Sequence, residues 1–252
     1  MLETFLSEYL VLTVAAFFIG LSKGGLPGIG MISVPLLALS MSPIKAAALL
    51  LPIYILSDVV GVYLYRHHFD KRNLTILIPA GILGIVIGWL TASRVSDTIV
   101  ALLIGVLGVS FCLNAWLRKQ DQARIESPGV LKGLFWGTLS GFTSFVAHAG
   151  APPYQIYTVP QKMPRLVFAG TTTILFSCIN LAKIIPYAQI EPFTFSLVKT
   201  ALQFLPVALV GTLVGKYGVQ KLSDRWFYRL VQIALFAICL QLIIRSVPAL
   251  YL

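Results

Sequence analysis

Apolar residues run almost unbroken along this chain, in stretches too long for the core of a soluble domain. A spanning helix needs about 20 such residues. Eight runs reach or approach that length: Leu6–Leu21, Ile44–Tyr65, Leu74–Leu90, Thr98–Leu117, Val130–Ala147, Leu166–Tyr187, Phe193–Val214 and Trp226–Ile244. Two shorter runs, Gly28–Ser40 and Gly150–Val159, each follow a Gly-rich stretch and each contain proline. The pattern predicts an all-α integral membrane protein with about eight long transmembrane helices and two short broken or re-entrant ones. The opening MLETFLSEYL has no basic leader and no small-residue cleavage site, so the first run reads as a retained helix.

The order of runs repeats. Each half reads long, short, long, long, long, so we expect repeat 1 over 1–118, a linker over 119–129 and repeat 2 over 130–252, all in one membrane domain spanning 1–252. Leu21-Ser22 answers Leu139-Ser140 and Pro35 answers Pro153, both 118 positions on. Arg94-Val95-Ser96-Asp97 answers Lys221-Leu222-Ser223-Asp224, 127 positions on, with Ser or Asp placed to cap the last helix of each half.

Composition sharpens this picture. Hydrophobic residues make up 58% and charged residues 11%, where a soluble domain carries roughly a quarter charged. The net charge of +10 would suggest nucleic acid in a soluble protein. Here the basic residues lie in short loops and act as topology signals, and no nucleic-acid partner is expected. If both short runs cross, the halves have opposite orientation. Lys23 and the loops 66–72, 118–132, 162–165 and 216–229 then share one side, with fourteen Lys and Arg. Lys45, Arg94 and Arg245 occupy the other. Four crossings per half would instead send the 216–229 loop outward against the positive-inside rule. The inverted 5+5 arrangement is therefore expected, with both chain ends outside the cytoplasm.

The segment Leu21–Gly30 joins the first long run to the first short one and holds Ser22, Lys23, Gly24, Gly25, Pro27 and Gly28. Glycine permits tight turns and proline interrupts helices, so unwound chain is expected at membrane depth. Such chain must be buried or line a cavity. Its freed N–H groups, with Lys23, suit an anion. Close helix packing alone would explain Gly81, Gly84 and Gly88, but calls for neither Pro27 nor a lysine. The counterpart, Phe145–Pro153, brings His148, Ala149, Gly150, Pro152 and Pro153. His148 is expected to bind the anion, protonated or neutral, or to carry a proton, or else to be a hydrogen-bonded histidine that fixes two helices together. Asp58, midway along its run, is a second candidate for proton coupling or gating. Asn180 and Lys183 lie one turn apart on one face. Lys183 either snorkels toward the membrane surface or serves the site, and pairing between Asp58 and Lys183 is one way to neutralise both. Thr171, Thr172 and Ser22 offer donors. Cys112, Cys178 and Cys239 lack metal-ligand spacing. No metal, cofactor or enzyme motif is expected.

At these segments the chain resembles the sulfite exporter TauE/SafE family of bacterial membrane permeases. The resemblance rests on the Gly-rich turn between Gly20 and Gly30, Pro35-Leu36-Leu37, Lys45-Ala46-Ala47, and Ser57 to Asp70 with Gly61 and Tyr65-Arg66. It continues through His148–Pro153, Gly170-Thr171-Thr172 and Asn180–Tyr187. Lys23 and His148 depart from it, standing where smaller residues are frequent. The resemblance implies a multi-pass protein of the bacterial inner membrane that moves sulfite, sulfonate or related organosulfur anions. The residues themselves indicate a secondary transporter of small anions, with a coupling proton or ion. A passive anion channel and a carrier of non-sulfur carboxylates are the alternatives. Besides substrate the expected partner is the lipid bilayer, and a homo-oligomer is left open.

Overall fold

The computed structural model describes residues 2–24, 26, 28–92, 96–117, 127–190, 194–221 and 224–248. Arg94 and Val95, Leu222 and Ser223, most of the linker, and the site candidates Gly25 and Pro27 lie outside the described residues. The described chain is helical, with no strand among its residues. The helices are α1 (Leu2–Lys23), α2 (Ser33–Ala38), α3 (Pro43–Tyr65), α4 (Lys71–Ala92), α5 (Asp97–Leu117) and α6 (Val130–Ala147). They continue with α7 (Ala151–Thr158), α8 (Arg165–Ala182), α9 (Ile184–Ile190), α10 (Phe195–Lys221) and α11 (Asp224–Ser246). A turn of 3-10 helix, Ile29–Ile32, leads into α2, and another, Val159–Gln161, leaves α7.

Local chemistry sets several boundaries. Pro43 opens α3, where its missing N–H costs nothing. Asp70 Oδ1 accepts the Asn73 N–H at 2.7 Å and caps α4. Ser96 Oγ accepts the Ile99 N–H at 3.4 Å at the start of α5, the capping role expected from the sequence.

Five described helical stretches are long and apolar enough to cross a membrane: Pro43–Tyr65, Lys71–Thr91, Asp97–Leu117, Arg165–Gln189 and Val198–Tyr217. α1, α6 and α11 coincide with the remaining long runs. α6 is leaner in apolar residues because it carries Lys132 and the glycines Gly133, Gly137 and Gly141. Solvent preference is inverted relative to a soluble protein. Leu83, Leu90, Leu131, Phe135, Val210 and Leu213 point outward, while Lys23, Asp58, Asn180 and Lys183 are buried. Such an exterior is suited to lipid, and burial of ionisable groups inside it marks function.

Contacts fix the helix directions. Gly20 faces Ala208 and Thr212, Gly24 faces Gly215, and Tyr9 stacks near Phe204, so α1 and α10 run parallel. Gly133 meets Ile76, Gly84 meets Thr138 and Phe142, and Gly88 meets Phe145, so α4 and α6 are parallel as well. A methyl group on Gly84 would overlap the Thr138 carbonyl, so this crossing requires glycine. α3 and α8 are antiparallel, with Gly61 against Thr173 and Gly170 against Tyr65 and His68. α5 and α11 are antiparallel, with Gly105 against Ile243 and Cys112 against Gln232. Both short helices fold back along the long helix before them. Gly30 lies against Ser22, and Ser33 Oγ donates to the Ala15 carbonyl at 3.0 Å. Ser140 Oγ donates to the Gly150 carbonyl, and Tyr157 Oη reaches the Gly129 carbonyl at 3.3 Å.

Candidate functional site

α1 ends at Lys23, and the chain turns through Gly28, whose φ of 97° lies in the left-handed region that glycine enters at no steric cost. Lys23, the last residue of α1, reaches toward α3. There its Nζ lies 2.5 Å from Asp58 Oδ1. Asp58 Oδ2 accepts a hydrogen bond from Asn180 Nδ2 at 2.7 Å. Three elements, α1, α3 and α8, thus meet around one carboxylate. Tyr54 lies one turn before Asp58 on α3. Its hydroxyl donates to the Gly30 carbonyl at 2.8 Å, and Lys23 Nζ sits 5.3 Å from its ring centroid. Tyr65 Oη donates to the Gly24 carbonyl at 2.9 Å, so α3 is bonded to the chain at Gly24 as well as at Gly30.

The second interruption is built differently. His148 adopts φ 50°, left-handed backbone that a non-glycine residue enters at a cost. Its N–H donates to the Ser144 carbonyl and the Ala149 N–H to the Thr143 carbonyl, closing the end of α6 around it. The ring stacks on Tyr54 with centroids 4.4 Å apart. Nε2 lies 2.9 Å from the Ala47 carbonyl, which only accepts, so Nε2 carries the proton. Nδ1 is then bare and accepts from Lys183 Nζ at 2.6 Å. Lys183 Nζ also donates to the Ser144 carbonyl and to Ser144 Oγ, both at 3.1 Å. Tyr187, one turn on, donates to the Phe145 carbonyl.

Two expectations for Lys183 are corrected by this geometry. It does not snorkel: it is 0% exposed, because the helical path continues through α9 beyond it. Nor does it pair with Asp58. Both Asp58 oxygens are taken by Lys23 and Asn180, and Lys183 points to α6 instead.

The two interruptions share one cavity of about 50 Å³, on a scale where one water needs about 10–15 Å³. A few waters or one small anion fit. Of the residues expected at a site, Ser22, Lys23, Gly28, His148, Thr172 and Asn180 line it. Asp58 stands directly behind Lys23, and Lys183 behind His148. Gly24 packs against α10 instead, and Gly150 sits between Ser140 and Phe176. Ala149 is buried, and Pro152 and Pro153 form the first turn of α7 beside the lining residue Ala151. Thr171 is turned away, accepting the Asp70 N–H at 2.8 Å.

Gly30, at the end of the segment expected to line a cavity, does line it, as do Met31, Tyr54, Ser144, Thr173 and Phe176, to which sequence reasoning assigned no role there. Helical spacing would have found several. Tyr54 is four before Asp58, Ser144 four before His148, and Phe176 four before Asn180, each pair on one face.

A helical chain with stretches long and apolar enough to cross a membrane, interrupted twice beside one cavity lined by Lys23 and His148, has the make-up of a membrane permease. The sulfite exporter TauE/SafE family model matches residues 12–242, and the chain belongs to that family. It is accordingly an integral membrane transporter of sulfur-containing anions. No curated protein and no solved structure matches it.

Proposed function

We propose that this chain is a secondary transporter that carries small anions, sulfite, sulfonate or related organosulfur anions, across the bacterial inner membrane by alternating access around the cavity between α1, α3, α6, α7 and α8. The observation that carries this reading is the meeting of both chain interruptions at one buried cavity with two lysines and one carboxylate beside it. Lys23 and Lys183 supply positive potential, and Ser22, Ser144 and Thr172 surround the anion with hydroxyls. Transporter sites are commonly formed by broken helices near the membrane midplane.

Helix directions support the inverted 5+5 repeat. Each short helix returns along its predecessor, so the first half runs up, down, up, down, up. Because α6 is parallel to α4, the second half begins downward and alternates to the end. Exchanging the halves maps the pairing of α1 with α10 onto that of α6 with α4, and leaves α3 with α8 and α5 with α11 unchanged. On this reading the chain makes eight long crossings and two short ones. A two-fold arrangement of this kind lets one half rock against the other around a central ligand.

The test is a thermal-stability screen of purified protein with sulfite, thiosulfate, methanesulfonate and acetate. A ligand that binds the folded state raises the unfolding temperature by mass action. Stabilisation by one or more sulfur anions, and less by acetate, is expected. Stabilisation by acetate alone would redirect the reading to carboxylates.

A further inference from the structure

The hydrogen bonds of the cavity are satisfied by one simple set of charges. Lys183 Nζ faces the Ser144 carbonyl, Ser144 Oγ and His148 Nδ1, enough acceptors for the three N–H bonds of an ammonium. His148, donating through Nε2 to the Ala47 carbonyl, is neutral. Adding a proton at Nδ1 would set a second N–H against the ammonium of Lys183. Lys23 is matched by Asp58. With Lys183 as an ammonium, the sum over Lys23, Asp58, His148 and Lys183 is one positive charge, that of Lys183, whose three partners are all uncharged. In a buried site of low dielectric an unmatched charge is costly, and so is a ligand that overshoots it.

Resting on the transport reading above, we propose that this cavity is matched to one negative charge: it takes a univalent anion as such, and a divalent anion only together with a proton that lands on Asp58. A sulfonate or a hydrogensulfite ion brings the cavity to neutrality. Thiosulfate or fully ionised sulfite leaves one negative charge in excess. Asp58 is where a proton removes it, because the arriving dianion competes for the Lys23 ammonium and leaves two negative groups on one cation. The step is the conversion of the Asp58 carboxylate to a carboxylic acid, with the proton drawn from water. The titratable groups around Asp58 are Lys23 from α1, Tyr54 on its own helix, Cys178 and Lys183 from α8 and its C-terminal end, and, across the Tyr54 ring, His148 from α6. Asp58 is the carboxylate among them, and its pairing with Lys23 makes it the group whose protonation changes what the anion meets. Asp58 and Lys183 thereby set the valence that the site selects.

Two probes whose own charge is constant between pH 6 and 8 separate the cases, methanesulfonate at one charge and thiosulfate at two. Titration calorimetry of the detergent-purified chain in buffers of different ionisation enthalpy counts the protons taken up. Methanesulfonate should bind with the same Kd across the range and take up no proton. Thiosulfate should take up one, and its Kd should fall about tenfold for each unit the pH is lowered. Asp58→Asn should bind thiosulfate independently of pH and prefer it to methanesulfonate. Lys183→Met should lose methanesulfonate affinity by on the order of a hundredfold. Thiosulfate binding without a proton, methanesulfonate binding with one, or an unchanged preference in folded Asp58→Asn overturns the proposal. The proton count on the unsubstituted chain decides it even where a variant does not fold. If neither anion binds at any pH, the anion site itself is refuted, and the valence rule with it.

Discussion

Breaking the Lys23–Asp58 pair from one side only should be far more damaging than removing it whole. The two groups lie 2.5 Å apart, and each side chain retains 6% of its exposure. In Lys23→Met an unbranched apolar chain of similar length fills the space, and the carboxylate of Asp58 keeps Asn180 as its hydrogen-bond partner. An uncompensated buried charge of this kind costs about 3–5 kcal/mol. At roughly 2–4 °C per kcal/mol for a chain of this size, the unfolding temperature should drop by about 6–20 °C. Asp58→Asn should lose a comparable amount, by stranding Lys23. The double variant Lys23→Met/Asp58→Asn removes both charges and leaves two amides to bond each other across α3 and α8. Its unfolding temperature should return to within a few degrees of the parent, since exchanging a whole buried pair for neutral groups is often close to neutral. Thermal unfolding followed by tryptophan fluorescence in detergent at neutral pH measures all four proteins. Single variants that lose less than about 3 °C, or losses that simply add in the double variant, would show that the pair is not the buried, mutually dependent unit described here.

Gly28→Ala should lower both stability and transport. Its φ of 97° strains any side chain, and the added methyl lies 3.2 Å from Gln155 Nε2, so a loss of about 1–2 kcal/mol is expected in the unfolding midpoint. Tyr54→Phe keeps the stack on His148 and leaves the Gly30 carbonyl with the Ser33 N–H as its donor. A cost of about 0.5–1.5 kcal/mol should appear in the same assay, with transport falling further because Gly30 lines the cavity. Single cysteines at Arg124 and Glu191, on a background lacking Cys112, Cys178 and Cys239, should react with an impermeant thiol reagent from opposite sides of the membrane. Labelling from the same side would refute the inverted arrangement.

Much of the architecture was legible because lipid imposes a length rule on apolar runs. The two interruptions were legible because proline and glycine are exceptions in such runs. The Lys23 and His148 segments do meet at one cavity. The partner of each charge was not legible. Asp58 lies between Lys23 and Lys183 in sequence, and choosing among partners required the azimuth of α8, which turns Asn180 toward α3 and Lys183 toward α6. The role of His148 depended on the same turn. A histidine beside unwound chain reads as a titrating group or as a hydrogen-bonded link between helices, and here both its ring nitrogens are engaged. Tyr54 was overlooked because an aromatic residue in an apolar run carries no mark of its own. Only its spacing from Asp58 sets it apart.

Flux through the purified chain tests the central claim most directly. Proteoliposomes preloaded with unlabelled methanesulfonate or sulfite should take up the labelled anion from outside by counterflow, with saturable rates. Lys183→Met, in folded form, should fall toward the rate of empty vesicles. Counterflow requires a site that faces one side at a time, so it also separates a carrier from a channel. Labelled uptake that does not saturate and ignores the internal anion would contradict alternating access. Undiminished counterflow in Lys183→Met would remove the cavity between Lys23 and Lys183 from the transport path.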